Sequence, residues 1–150
     1  MKDLFDIKDR VIVITGGTGV LGSVISTYLA NQGAKIAILG RREEKGEKVV
    51  EEIAKNGKEA IFLKTNVLDS SVLEKNRDDI LKKYGRVDVL LNAAGGNMAG
   101  ANITPQETFF DLNLDQFDKV VRLNLTGSVL PTQIFLKPMV KQGKGSIINF

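Results

Sequence analysis

Val11-Ile-Val-Ile-Thr-Gly-Gly-Thr-Gly-Val-Leu-Gly22 is a β-branched run that breaks into glycines, and its reading decides the fold. Four consecutive apolar residues, Val11 to Ile14, are expected of a strand covered on both faces. From Val20 to Ala30 the apolar residues recur at helical spacing. The turn between them contains G-x-G-x-x-G as Gly17, Gly19 and Gly22. A loop that follows a strand and opens a helix offers free backbone N–H groups at the positive end of that helix, where a pyrophosphate can sit. Glycine suits such a place because side chains would hold the phosphates away. The competing reading is a tight turn that packs helix on strand with no ligand. A Walker-type phosphate loop is excluded, since no Gly-Lys-Ser/Thr follows.

Working outward, strand and helix keep alternating. Gly33 ends the first helix and Lys35 to Leu39 reads as a second strand. Glu43 to Lys55 reads as a helix, with acids in its first turn, Val49, Val50 and Ile53 on one face, and Asn56-Gly57 closing it. Ala60 to Leu63 is a third strand. Ser71-Val-Leu-Glu74 fits a capping box that opens a helix ending at Gly85. Val87 to Leu91 is a fourth strand, followed by a Gly/Asn-rich loop from Gly95 to about Pro105. Leu114 to Lys141 is mostly helical, with Pro131 and Pro138 expected to start, kink or break it. After a turn at Gly143 to Gly145, Ile147 to Phe150 begins a fifth strand. Helices of this length between strands imply right-handed crossovers in an α/β, Rossmann-type doubly wound parallel sheet of order 3-2-1-4-5, with ligand at the carboxyl ends of the strands. The apolar last strand would lie at an edge and should be paired, a hint that more chain follows.

Composition narrows the chemistry. With 150 residues and 43% hydrophobic content, the chain is long enough for one domain with a sizeable core. It has no cysteine and no histidine. Disulfides, thiolate catalysis and imidazole bases are therefore excluded, and no metal site is expected. The net charge of +3 comes from 21 basic and 18 acidic residues along the whole length. Lysines alternating with glutamates read as solvated helix surface, so no nucleic-acid partner is expected. The charged opening, Met1 to Arg10, is no signal peptide, and the apolar runs are too short to span a bilayer. These features point to the cytoplasm and to no membrane partner.

Three motifs in register carry a resemblance that covers the whole chain. Thr15 to Gly22, Asn92-Ala-Ala-Gly95 and Asn124-Leu-Thr-Gly127 resemble the T-G-x-x-x-G-x-G, N-x-A-G and N-L-x-G motifs of the short-chain dehydrogenase/reductase family. Within it, Leu4-Phe-Asp-Ile7, Ala94-Gly-Gly-Asn97 and Leu130-Pro-Thr-Gln133 are most like the mannonate/fructuronate oxidoreductase group. The resemblance implies that Gly16, Thr18, Gly19, Val20, Leu21 and Gly22 hold the cofactor phosphates and ribose. It further implies that Asn92, Ala93, Ala94 and Gly95 line the adenosine side and tie strands together, with Asn66 and Val67 near the adenine. Asn124 would be the helix-borne member of the catalytic set, anchoring a water in a proton relay. Asn97 is a candidate substrate contact. A small-molecule substrate and a homotetramer are implied as well.

Two departures touch the site. Val20 stands where the family has glycine, a spacing that approaches the extended, epimerase-like branch; the Asn92 and Asn124 motifs favour the short branch. Asn66 replaces the usual aspartate beside the adenine amino group, and still offers an acceptor oxygen.

A third departure concerns the cofactor. NAD-binding domains carry an acid at the end of the second strand for the ribose 2′-hydroxyl. Here the strand ends Ile38-Leu-Gly-Arg41-Arg42. No carboxylate repels a 2′-phosphate and two guanidiniums can bind it, so NADP(H) is favoured, with NAD(H) possible. The other reading leaves both arginines solvated at a helix start, a poor place for cations. The same missing acid argues against a methyltransferase.

The family's proton-transfer groups are a serine and a Tyr-x-x-x-Lys pair. Tyr28 is followed at the fourth place by Gln32 and Tyr84 by Asp88, so neither serves. The serine, tyrosine and lysine are expected beyond residue 150. The function expected is interconversion of a carbonyl and a secondary alcohol by hydride transfer, on a sugar acid such as D-fructuronate/D-mannonate. The alternatives are a dinucleotide-binding module without turnover and an extended-branch sugar-nucleotide epimerase.

Overall fold

The computed structural model describes residues 6–150. Leu4 and Phe5, part of the opening motif above, and with them the first half of the opening read against a signal peptide, lie outside the described residues. Five strands, β1 (Val11–Thr15), β2 (Lys35–Gly40), β3 (Ala60–Lys64), β4 (Val89–Asn92) and β5 (Ser146–Asn149), form one parallel sheet of order β3-β2-β1-β4-β5. The helices are α1 (Val20–Asn31), α2 (Glu43–Lys55), α3 (Ser70–Tyr84), α4 (Leu114–Val121) and α5 (Gly127–Gln142).

Alternation along β1 explains the two-sided core. Val11 and Val13 face Leu73 and Ile80 of α3 and Ile134, Phe135 and Met139 of α5. Ile12 and Ile14 face Ala30 of α1 and Val49 and Ile53 of α2. Successive side chains of a strand point to opposite faces, so an unbroken apolar run needs helices on both. The chain winds from β1 outward to β3, then returns to the other side of β1 as β4. That reversal opens a crevice at the carboxyl ends of β1 and β4. On the α2 side the fit is close: a Cβ at Gly46 would overlap the Phe62 ring. Gly46→Ala is therefore expected to destabilise by overpacking, about 1–3 kcal/mol, read as a lower thermal midpoint.

Three local expectations are corrected. The cap of α3 is Asp69, whose carboxylate accepts from Ser71 N at 3.0 Å and Val72 N at 3.2 Å. Ser71 is already inside the helix, and its hydroxyl donates to Asp69. Val87 and Asp88 precede β4 instead of belonging to it, since the paired register begins at Val89 opposite Ile12; the buried Asp88 side chain collects basic partners there. Pro131 and Pro138 both lie inside α5, buried, without breaking it. Each removes one N–H but keeps a helical φ, and packing against the sheet holds the helix. The irregularity falls earlier, in a π-helical turn over Arg122–Thr126 that joins α4 to α5.

Candidate dinucleotide cleft

Two loops meet at the switch point and are tied by Thr15. Its buried hydroxyl accepts from Ala93 N and Ala94 N, both at 3.1 Å, locking the exit of β4 onto the exit of β1. Backbone then lies on backbone: Gly16 has φ +69°, and a Cβ there would sit 2.5 Å from the Ala93 carbonyl oxygen. The reason for glycine differs along the loop. A Cβ at Gly17 would press on Ile38 at 2.8 Å, and one at Gly22 would overlap the Gly16 carbonyl. Those glycines serve packing, which corrects the expectation that they all clear space for phosphate. Gly19 is different. Its φ of −78° and ψ of 173° suit any residue, and its Cβ would meet only the Gly16 oxygen, at 3.2 Å. The rest of its surroundings is open.

Gly19 is also the N-cap of α1 and supplies no side-chain cap. Helix geometry leaves the first amides without intrahelical acceptors. Among the described residues, no acceptor takes the N–H of Val20, Leu21 or Gly22. These unsatisfied donors at the positive end of a twelve-residue helix form a site for an anion.

A cavity of about 500 Å³ opens beside them. Its walls include Gly16, Thr18 and Gly19 of the first loop, Gly40, Arg41 and Arg42 after β2, and Thr65, Asn66 and Val67 after β3. Ala93, Ala94 and Gly95 come from the β4 exit, and Lys119, Arg122 and Leu123 from the helical side. Four basic residues and no carboxylate line it. Arg42 reaches back to donate to the Thr18 carbonyl at 3.2 Å, laying its guanidinium against the glycine loop. Among the described residues no cluster of potential metal ligands occurs, and no helix is long and apolar enough to cross a membrane.

Several expected site residues take other positions. Val20 and Leu21 are exposed, 86% and 70%, and are not among the cavity's lining residues, so what they offer a ligand is their unpaired amides beside it. Asn92 is 1% exposed and off the cavity wall. Its Nδ2 is placed to donate to Ser128 O (3.3 Å), Thr132 Oγ1 (3.0 Å) and Asn149 Oδ1 (2.9 Å), tying β4 to α5 and β5. Asn66 spends its Oδ1 on the Leu68 amide at 3.1 Å, which leaves the oxygen's second lone pair for a ligand. Asn97 accepts from the Met98 amide at 2.9 Å.

Asn124 sits in the π-helical turn. Its Nδ2 donates to the carbonyls of Gly96 and Val120, both at 2.8 Å, and its Oδ1 accepts from Gly96 N at 3.2 Å. This pins the loop after β4; a Cβ on Gly95 would come within 2.5 Å of Asn124 Oδ1. Lys119, Arg122 and Thr15 were not anticipated. Helical spacing does not tell which polar turn faces a cleft, whereas Thr15, a polar β-branched residue closing an apolar strand, was a usable signal.

Comparison with known proteins agrees with this geometry. Residues 10–150 match the short chain dehydrogenase family. An oxidoreductase of Bacillus subtilis, UxuB, of uncharacterised activity, is 42% identical over 153 residues, covering 96% of this chain and 55% of its own length. A Haemophilus influenzae structure described as a candidate D-mannonate oxidoreductase with bound NAD superposes with a TM-score of 0.86 at 39% identity, over 96% of this chain and 55% of that one. An actinorhodin polyketide ketoreductase with NADPH superposes with a TM-score of 0.83 at 29% identity, over 94% and 52%. The chain thus spans about half the length of these relatives. By motif, sheet order and family match, the chain belongs to the short-chain dehydrogenases.

Proposed function

We propose that the cleft binds a nicotinamide adenine dinucleotide, NADP(H) in preference to NAD(H), as the cofactor half of an oxidoreductase that interconverts a carbonyl and a secondary alcohol. The observation that carries this reading is a cavity lined by four basic side chains and no carboxylate, adjoining the unpaired amides that start α1 at Gly19. An anionic ligand is favoured there, and the free amides of Val20, Leu21 and Gly22 suit its pyrophosphate. The open side of Gly19 lets it approach. Thr18, Gly40, Asn66, Val67 and Ala93 to Gly95 provide the walls for adenosine and ribose. When bound, the dinucleotide would supply or accept a hydride at the nicotinamide C4. Asn124 acts here as a positioning residue, holding Gly96 and through it the loop that would face the substrate. A sugar acid of the D-mannonate/D-fructuronate type is the proposed substrate, supported by the likeness to the Haemophilus influenzae protein.

The test is a titration of the full-length protein. A charge-assisted bond to a 2′-phosphate is worth about 1.5–3 kcal/mol, roughly tenfold to a hundredfold in affinity. NADPH is expected to bind at least about tenfold tighter than NADH, and Arg41→Ala to remove most of that margin. Arg41 is chosen because Arg42 also supports the glycine loop. Equal affinities defeat the NADP(H) preference. Absence of dinucleotide binding at saturating concentration defeats the whole reading. A panel of sugar acids followed by NADPH absorbance then tests the substrate.

A further inference from the structure

We infer that Lys119 and Arg122 are specificity-determining residues, forming a second basic jaw that recognises an extra phosphate on the adenosine ribose together with Arg41 and Arg42. This rests on the dinucleotide reading above and deepens it. Three observations carry it. Both residues line the same cavity as Arg41 and Arg42 but come from α4 and the π-helical turn instead of the β2 exit. They lie three apart in a helix, which puts them on one face. Each also has an acid one turn before it, Asp115 for Lys119 and Asp118 for Arg122, in the order that favours an i,i+4 ion pair.

Among the described residues neither of those pairs forms within 4.0 Å, whereas Lys48–Glu44 closes at 2.7 Å and Lys75–Asp79 at 2.6 Å. The two cations border the cleft without taking up their helical partners. Four like charges around one cavity of about 500 Å³ repel one another when no carboxylate intervenes. A dinucleotide pyrophosphate at the α1 amides does not use all four. A further phosphate on the ribose accounts for the surplus, and the two pairs would grip it together.

The experiment compares adenosine 5′-monophosphate with adenosine 2′,5′-bisphosphate by calorimetry on the full-length protein, since these ligands differ only by the 2′-phosphate. Unmodified protein is expected to bind the bisphosphate more tightly. Lys119→Ala and Arg122→Ala should each narrow the ratio by about threefold to tenfold. The double variant should narrow it further, with a shallower salt dependence. Affinity for the monophosphate should fall by less than affinity for the bisphosphate in each variant, whereas general loosening of α4 would weaken both alike. An unchanged ratio in the double variant overturns the inference alone, whereas equal binding of both nucleotides by unmodified protein overturns it together with the NADP(H) preference. If unmodified protein binds neither nucleotide, the dinucleotide reading fails and takes the inference with it.

Discussion

Gly19→Asp is expected to abolish dinucleotide binding, by a hundredfold or more, while leaving the protein at least about as stable as before. The two effects separate because of where Gly19 stands. Its backbone angles are ordinary, φ −78° and ψ 173°, so a side chain brings no conformational strain. Aspartate is among the best N-cap residues, and its carboxylate would accept the early amides of α1 that Gly19 leaves free. That gain of a few tenths of a kcal/mol is set against a modest crowding of the Gly16 oxygen, 3.2 Å from the new Cβ. For the ligand the same change is doubly adverse. It occupies donors that would meet the pyrophosphate and sets a negative charge against another. The like-charge term alone is about 4 kcal/mol at roughly 4 Å in a partly screened setting, enough for more than a hundredfold. Thermal unfolding and a dinucleotide titration on the same sample check both halves. Retained binding within threefold would mean that phosphate does not sit at this helix end. By contrast, Gly16→Ala should damage the fold itself, because its Cβ would meet the backbone of Ala93 in a left-handed conformation.

That contrast shows what the amino-acid sequence could and could not reveal. The strand–loop–helix unit was readable because Val11 to Ile14 admits no polar residue and the glycines follow at once. The limits of α2, Glu43–Lys55, were equally plain, since acids open it and Asn56-Gly57 closes it. The alternation of five strands with helices made the sheet order legible in the same way. What pattern reading missed depends on where side chains turn after the chain has folded. Asn92 is the last residue of β4, beside the cleft, yet its side chain turns inward to β5 and α5. Lys119 and Arg122 read as solvated helix surface, with acids one turn away to match. The stretch Arg122–Thr126 has ordinary helical residues, so nothing in its propensity announces a π-turn. Asn124 alone hints at it, and only through a bond to Gly96, twenty-eight residues distant. The glycine motif was recognised correctly as a motif, but its members divide between packing and ligand clearance, a division set by Ile38, Ala93 and Gly16 in space.

The opposite end of the sheet should behave in the opposite way. Asp88→Ala is expected to destabilise by about 2–4 kcal/mol, a fall of roughly 5–10 °C in the thermal midpoint at this size, with dinucleotide affinity unchanged well below that midpoint. The Asp88 side chain is only 3% exposed. It takes Arg10 at 3.3 Å, Arg86 through both guanidinium arms, and the Val11 amide at 3.0 Å. Its backbone adds bonds to Val11 O and Ser146 N, so one residue fastens β1 and β5 to the start of β4. Burial by itself pushes the Asp88 carboxyl up; Arg86, the Val11 amide and Arg10 together outweigh it and hold the group below the usual aspartate range. An unfolded aspartate titrates near pH 3.9. A group held lower in the fold contributes fully above that value, and its contribution drains away as pH falls through it toward the depressed one. The stability gap between unmodified protein and the variant should therefore be widest above about pH 5 and shrink toward pH 3. Asp88→Asn, which keeps the shape and an acceptor for Val11, should show a smaller gap with the same pH trend. A gap that is constant or grows on acidification would mean that the ion cluster is not what secures this end. Loss of dinucleotide affinity in a folded variant would mean that the two ends are not separable, and that the cleft depends on anchoring at the far side of the sheet.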